Sequence, residues 1–435
     1  MTQTQTKTWD VAVVGAGMAG MAASLFAAER GLSCIQIGNG GGLLFASGLL
    51  DLLAVHPVAA RRVWDNPFEA LAMIRRDQPD HPLARVDDAS MRAAFQSFTS
   101  ALGDAGMPFA PLGDRNASVL TSLGTPKPTY GVPRTMAAGV DALAGRPPCL
   151  LLDFRGLREF SARQIVATIG DTWPGLRMAR VEFPGAEATS ELYAAHMAVA
   201  LESGEFRERT LARVRPLLGD ARVVGFPAVL GLARSAVVHA AFEEGLGVPV
   251  FEIPTMPTSV PGLRLNAALE QAVVTRGVHR MLRVDVASTS FDETAVLTLD
   301  GVPGGQRVSA RTVVLATGRF SGRGLSAGQQ GVTETLLGLP VQQPASRDAW
   351  HSRDFLDPAG HAINRAGLAT DDDFRPLDAT GRPAWPGLYA VGSILAGQDW
   401  MREKCGSGLA LGTARVAVDR IARQLRAPSG VGEAG

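Results

Sequence analysis

The sequence predicts a discontinuous α/β fold of the Rossmann-like, dinucleotide-binding type carrying an inserted α+β cap. Three glycine signatures predict it. Gly15-Ala16-Gly17-Met18-Ala19-Gly20 stands near the start, and Ala316-Thr317-Gly318 lies far downstream. Gly387-Leu-Tyr-Ala-Val-Gly392 then precedes Lys404-Cys405-Gly406-Ser407-Gly408 close to the end of the 435 residues. Each signature alone is ambiguous; their order along one chain is what makes them specific.

The first sits in a complete βαβ unit. Asp10-Val-Ala-Val-Val14 is apolar and β-branched, the pattern of a buried parallel strand. Met21 to Arg30 reads as a helix stopped by Gly31, and Ser33-Cys-Ile-Gln-Ile37 as the second strand. Gly15 permits a tight turn, Gly17 lets the backbone approach a pyrophosphate, and Gly20 lets the helix pack on the strand. A phosphate then rests on the helix N-terminus. Such a unit normally ends its second strand with an acidic residue that holds the ribose. Here Gly38 stands at that place, followed by Asn39 and Gly40-Gly41-Gly42. Either an adenosine is held differently or the bound cofactor lacks an adenosine half.

The second signature closes Arg311-Thr-Val-Val-Leu-Ala-Thr-Gly318, a strand whose Ala316-Thr317-Gly318 loop lies beside the dinucleotide or is an ordinary glycine turn. The third begins with a strand ending at Gly392, within Pro386 to Ser393. After a loop, Lys404 to Gly408 opens a helix running from Leu409 to about Leu425. The free N–H groups at that helix start suit a flavin O2 or a phosphate oxygen. Lys404 is either a surface charge or a cation near the flavin N1–O2 edge, where reduction builds negative charge. Cys405 sits where a helix N-terminus lowers a thiol pKa. With no histidine near it in sequence, a small packing residue is the preferred reading.

The separation of the signatures sets the domains. Residues 1–80 and 262–435 are expected to form one Rossmann-like FAD/NAD(P)-binding domain, and 81–261 a cap. Within the cap, Ser161 to Ile169, Glu205 to Leu218 and Ala233 to Glu244 read as scaffold helices. Two turns stand out: Leu123-Gly-Thr-Pro-Lys127, and the proline-spaced Ile253 to Gly262 that ends in Leu263-Arg264. Both suit an anion pocket over the flavin, and both also look like plain proline-rich loops. From Leu263 a helix to Thr275 precedes short alternating strands. His351, in Arg347-Asp-Ala-Trp-His-Ser-Arg353, is a base, an anion ligand or a surface histidine.

Composition removes several classes. Lys plus Arg and Asp plus Glu balance at 42 each, without the electrostatic footprint of a nucleic-acid binder. Apolar residues at 46% and charged residues at 19% exclude a disordered chain. Cys34, Cys149 and Cys405 are far apart and fit no disulfide framework, metal site or iron–sulfur cluster. That pattern reads as a reducing, cytoplasmic compartment. Lys7, Lys127 and Lys404 are the only lysines among 42 basic side chains, and the latter two fall inside motifs. Met1 to Trp9 is polar, with no signal peptide expected. The uncharged stretch Val11 to Ala28 is long enough to raise a membrane span, but its glycine turn splits it into strand and helix, so no direct span is expected.

The motifs resemble the B-type subunit of the bacterial anaerobic glycerol-3-phosphate dehydrogenases. The resemblance rests on Phe45-Ala-Ser47-Gly48-Leu-Leu-Asp-Leu-Leu53, Leu123 to Lys127, Pro254 to Arg264, Ala316-Thr-Gly-Arg-Phe-Ser-Gly322, Gly387 to Gly392 and Cys405 to Gly408. These pieces span nearly the whole chain in order; extra sequence around 165–220 departs from the pattern. The resemblance implies a flavin-dependent subunit in the oxidation of sn-glycerol 3-phosphate to dihydroxyacetone phosphate. It implies FMN as cofactor, with FAD the alternative. It also implies a second flavoprotein subunit and an iron–sulfur, membrane-anchoring subunit that passes electrons to quinone, holding the chain peripherally on the inner membrane face. In that frame Ser47 and Gly48 join the flavin contacts, Lys127, Arg264 and Arg319 bind the phosphate, and His351 is the base. Two rivals remain: a flavin oxidoreductase for another hydroxy acid or amine, and a non-catalytic electron-transfer subunit.

Overall fold

The computed structural model describes residues 7–40, 42–301 and 306–427. Met1–Thr6 of the polar N-terminal segment and Gly41 of the glycine run lie outside them. Strand β1 (Thr8–Val14) and β2 (Cys34–Ile37) run parallel, with Val11 opposite Cys34 and Val14 opposite Ile37. Helix α1 (Met18–Glu29) joins them and starts inside the glycine signature, with Gly17 as its N-cap. Helix α2 (Pro67–Asp77) is capped by the Asn66 side chain, and α3 (Asp88–Asp104) by that of Asp87. Phe95, Phe98 and Leu102 of α3 are buried in the same core as β1 and α1. That first core thus continues through Met107, past the expected domain boundary at 80/81, because the apolar face of α3 packs on the Rossmann-like layers.

A hairpin of β3 (Ala117–Leu120) and β4 (Pro126–Thr129) follows, then α4 (Arg134–Gly145). Next comes a second sheet of β5 (Cys149–Phe154), β6 (Leu176–Val181), β7 (Val223–Pro227) and β8 (Val250–Ile253). Its order is β6-β5-β7-β8 and every pairing is parallel. The helices α5 (Ala162–Ile169), α6 (Ala194–Ala200), α7 (Gly204–Val214) and α8 (Ser235–Leu246) connect them. The insertion, expected as α+β, therefore joins an antiparallel hairpin to a small parallel α/β unit with its own core. Every residue of β5 and β7 is buried. Such strands show no alternation and cannot be told from buried helix turns by periodicity.

Helix α9 (Val260–Thr275) starts earlier than expected. The Ser259 hydroxyl accepts the Gly262 N–H at 3.4 Å, and Pro261 sits in the first turn, where a missing N–H costs nothing. The proline-spaced segment thus ends at Ser259, and Arg264 is helical. β9 (His279–Met281) pairs with β2. β10 (Asp285–Phe291) and β11 (Ala295–Asp300) lead antiparallel into the long β12 (Arg307–Leu315). Two small antiparallel pairs follow, β13 (Leu325–Gly328) with β14 (Gly331–Glu334) and β15 (Val341–Gln342) with β16 (Gly367–Leu368). β17 (Leu388–Ala390) then lies parallel to β12. α10 (Trp400–Glu403) is short, and α11 (Gly406–Arg426) opens within the last signature rather than at Leu409.

The main sheet runs β10-β11-β12-β1-β2-β9, with β17 on β12. Val14 is opposite Leu315, and Leu315 opposite Ala390. All three signatures therefore leave the same carboxyl edge of adjacent parallel strands, where open α/β sheets bind ligands. Among the described residues no helix is long and apolar enough to cross a membrane.

Candidate functional site

The three strand ends interlock through glycine. Gly15 has φ +124°, and a Cβ there would lie 2.3 Å from the Ala316 carbonyl oxygen. At Gly20 a Cβ would lie 2.0 Å from the Gly15 oxygen, so helix and loop pack closer than any side chain allows. Gly392 donates its N–H to Thr413 Oγ1 at 2.9 Å, and a Cβ on it would meet the Ala19 Cβ at 2.5 Å. Gly17 differs: among the described residues nothing beyond its own helix and chain neighbours lies within 4 Å of where its Cβ would be. Its face is open at the head of α1, as an approaching pyrophosphate requires. Gly318 lies beside Ser393, and the buried Thr317 hydroxyl has no hydrogen-bond partner among the described residues.

The head of α11 completes this arrangement. Gly408 donates its N–H to the Asp51 carbonyl at 2.8 Å, and a Cβ there would lie 2.2 Å from the Leu52 oxygen. Helix and segment 51–52 are thus in backbone contact. Gly406 and Ser407 form the first turn of α11, where N–H groups have no intrahelical acceptor. Lys404, in the left-handed region at φ 54°, turns the chain between α10 and α11. Upstream, Gly48 packs on Pro261 of α9, with half-buried Ser47 beside it in sequence. An open glycine face, an unpartnered hydroxyl and two helix heads form a donor set that fits an anionic, acceptor-rich group such as a flavin and its phosphates.

The missing ribose carboxylate has a structural counterpart. Gly38 has φ +132° and donates its N–H to the Met281 carbonyl at 3.0 Å. Asn39 Nδ2 then donates to Asp285 Oδ1 at 3.3 Å. A carboxylate does reach the end of β2, but from β10.

The substrate candidates fare unequally. Lys127 Nζ donates to both Asp51 oxygens, at 2.6 and 2.7 Å. Because the Asp51 carbonyl receives Gly408, this pair joins the hairpin of the insertion to the head of α11. The sequence did not single out Asp51, although it stands in the Phe45–Leu53 stretch. Arg264, expected on phosphate, is instead committed internally. It donates to both oxygens of Glu252, at 2.5 and 2.9 Å, and twice to the Gly231 carbonyl. It is a buried tie between α9 and the second sheet. Arg319 donates to the Ile363 carbonyl at 2.7 Å and to that of Asn364, and burial pushes its guanidinium below the usual range against the pull of Asp399. His351 is exposed, its ring 5.2 Å from that of His361. Among the described residues no hydrogen bond joins Arg264, Arg319 or His351 to the Lys127–Asp51 pair.

Cys405 is fully buried, and its Sγ donates to Glu403 Oε2 at 3.4 Å. Burial first, and then the Glu403 charge, hold the thiol well above its ordinary pKa, which outweighs the helix terminus. Burial likewise pushes Cys34 and Cys149 up to about 12. In the folded chain all three thiols should therefore resist a small alkylating reagent at the ordinary thiol pKa of about 8.5 and react after unfolding. Selective alkylation of native Cys405, read by mass spectrometry, would restore the nucleophile reading.

A family model described as FAD binding domain matches residues 10–409. The probable B-type subunit of the anaerobic glycerol-3-phosphate dehydrogenase of Halobacterium salinarum is 33% identical over 425 residues, covering 94% of this chain and 96% of that protein. The B-type subunit of the anaerobic glycerol-3-phosphate dehydrogenase of Vibrio cholerae is 28% identical over 433 residues, covering 95% and 96%. Among solved structures, the 3-ketosteroid delta1-dehydrogenase of Sterolibacterium denitrificans aligns with a TM-score of 0.44 at 15% identity, covering 96% of this chain and 100% of that one.

Proposed function

The chain belongs to the FAD-binding-domain family and to the family of B-type subunits of anaerobic glycerol-3-phosphate dehydrogenases, and from that premise we propose that it is the flavin-dependent subunit of a dehydrogenase oxidising sn-glycerol 3-phosphate to dihydroxyacetone phosphate. It is a flavin oxidoreductase by family, and the naming of its relatives as B-type subunits implies a multi-subunit complex. We take the flavin to be FAD: the family match names it, whereas FMN, the first expectation from resemblance, finds no support there. The proposed contacts are Gly15, Ala16, Gly17, Gly20, Ser47, Gly48, Ala316, Thr317, Gly318, Gly392 and Lys404 to Gly408.

The observation that carries the substrate reading is the Lys127–Asp51 pair against the head of α11. A bound flavin supplies a two-electron acceptor for the alcohol carbon. A phosphate dianion needs a fixed cation, and Lys127 offers one there. Phosphate competes with Asp51 for that ammonium, and the released carboxylate takes the hydroxyl proton. Lys127→Ala should raise KM for glycerol 3-phosphate about tenfold to a hundredfold, the loss of one charge-assisted hydrogen bond. Asp51→Asn should lower kcat by about 10²–10⁴. Steady-state kinetics with a dye acceptor reads both; unchanged constants in both variants remove the pair from the reaction.

A second reading has its own support. Arg264 and Arg319 are bound internally, His351 lies exposed, and the Lys127 charge is already paired. A chain that carries electrons while another subunit does the chemistry fits those facts. Dithionite would then bleach its flavin and glycerol 3-phosphate would not. In either case we place the iron–sulfur centres and the membrane anchor on partner chains, with quinone as the final acceptor and this chain on the cytoplasmic side. The three cysteines here are buried and separate, which supports cluster ligands elsewhere.

A further inference from the structure

Behind the head of α11 lies a set of buried polar groups that the reaction above does not use. Glu403 is 0% exposed. Its Oε2 accepts from His81 Nε2 at 3.2 Å, the Asp399 N–H at 3.1 Å and the Cys405 thiol at 3.4 Å. Its backbone carbonyl accepts the N–H groups of Ala54 at 3.1 Å and Val55 at 2.9 Å. Its Oε1 is equally buried and has no hydrogen-bond partner among the described residues.

This carboxylate has no lysine or arginine partner among the described residues. His81 Nδ1 accepts the Leu83 N–H at 3.0 Å, so Nε2 is the ring nitrogen that faces Glu403. Asp51 is paired with Lys127 and Asp399 with Arg402, whereas His81 is the one basic side chain at ion-pair distance from Glu403 among the described residues. Burial pushes its carboxyl up, yet the hydrogen bond and charge of His81, with the hydrogen bonds from Asp399 and Cys405, hold it below the usual value. A helix N-terminus carries the equivalent of about half a positive charge. A carboxylate sealed three residues before Gly406 opposes that positive end.

We infer that Glu403 is a positioning residue of the flavin site: it locks the Lys404–Cys405 turn onto His81 and residues 54–55, and its charge offsets the positive end of α11. The inference rests on the flavin reading of that helix head. Electrons added to a flavin there meet a less positive surrounding than the helix alone would provide, so the flavin is harder to reduce.

The test is the midpoint potential of FAD-reconstituted chain, measured by reductive titration against reference dyes. E403Q keeps the shape and removes the charge, and its midpoint should move to a more positive value. H81K places a cation against an intact Glu403 and should move it the same way, while H81Q, which keeps a neutral donor, should leave it near the parent. A purely structural Glu403 would weaken flavin binding in E403Q without moving the potential. An unchanged midpoint in E403Q, or in H81K should E403Q not fold, overturns the inference and leaves the flavin reading intact. A parent chain that takes up no flavin fails the functional reading itself and this inference with it.

Discussion

Arg264→Ala should destabilise the protein by about 3–5 kcal/mol, the cost of breaking a buried ion pair from one side. The side chains are 4% and 0% exposed in Arg264 and Glu252. Glu252 Oε1 also accepts the Leu230 N–H at 2.7 Å, and Arg264 holds the Gly231 carbonyl, so removing the guanidinium orphans two buried acceptors together. Total stabilities run to about 5–15 kcal/mol, so this is a large share. A calorimetric scan should show the second sheet melting first, since the pair ties α9 to it. The double variant Arg264→Met with Glu252→Leu should recover only part of the loss: it removes the unpaired buried carboxylate but leaves the Leu230 N–H and the Gly231 carbonyl without partners. An R264A chain of parental stability with a raised KM would instead return Arg264 to the phosphate.

Gly15→Ala and Gly408→Ala should each abolish flavin binding, from opposite ends of the sequence. Alanine at Gly15 meets the Ala316 oxygen at 2.3 Å in a backbone region closed to side chains, a strain of about 1–3 kcal/mol before any overpacking. At Gly408 the methyl meets the Leu52 oxygen at 2.2 Å and pushes α11 off the segment that carries Asp51. Gly17→Ala offers a contrast, since among the described residues nothing beyond its own helix and chain neighbours lies within 4 Å of its Cβ position. It should fold normally and lose flavin affinity alone. Flavin fluorescence in a titration of each apo-variant reads all three; full flavin affinity in G408A would separate the C-terminal helix from the site.

What could be read in advance follows the range of the interactions. The Rossmann-like unit was legible because its signals are local: a β-branched run, three glycines, a helix and a second run within residues 10–37. The signatures around Ala316 and Gly392 were legible for the same reason, and the parallel register of β1, β12 and β17 brings their ends together. The insertion was less so. Its strands are short and buried on both faces, so they carry no period that separates them from helices. Arg264 misled because its partner Glu252 lies on another element, and a guanidinium in sequence looks alike whether it faces a phosphate or a buried carboxylate. The contacts of Asp51, His81, Asp285 and Glu403 were invisible in the sequence, since each is made with a distant segment. Lys127 stood out through the Leu123–Lys127 turn and the family resemblance, and Asp51 lies in the Phe45–Leu53 stretch of that same resemblance.

The most direct test of the account is to release the cofactor from the purified chain by heat, then identify and count it by chromatography. The account predicts FAD at close to one per chain, or its stoichiometric uptake by chain purified without it. A folded chain that carries no flavin and takes up neither FAD nor FMN would contradict it.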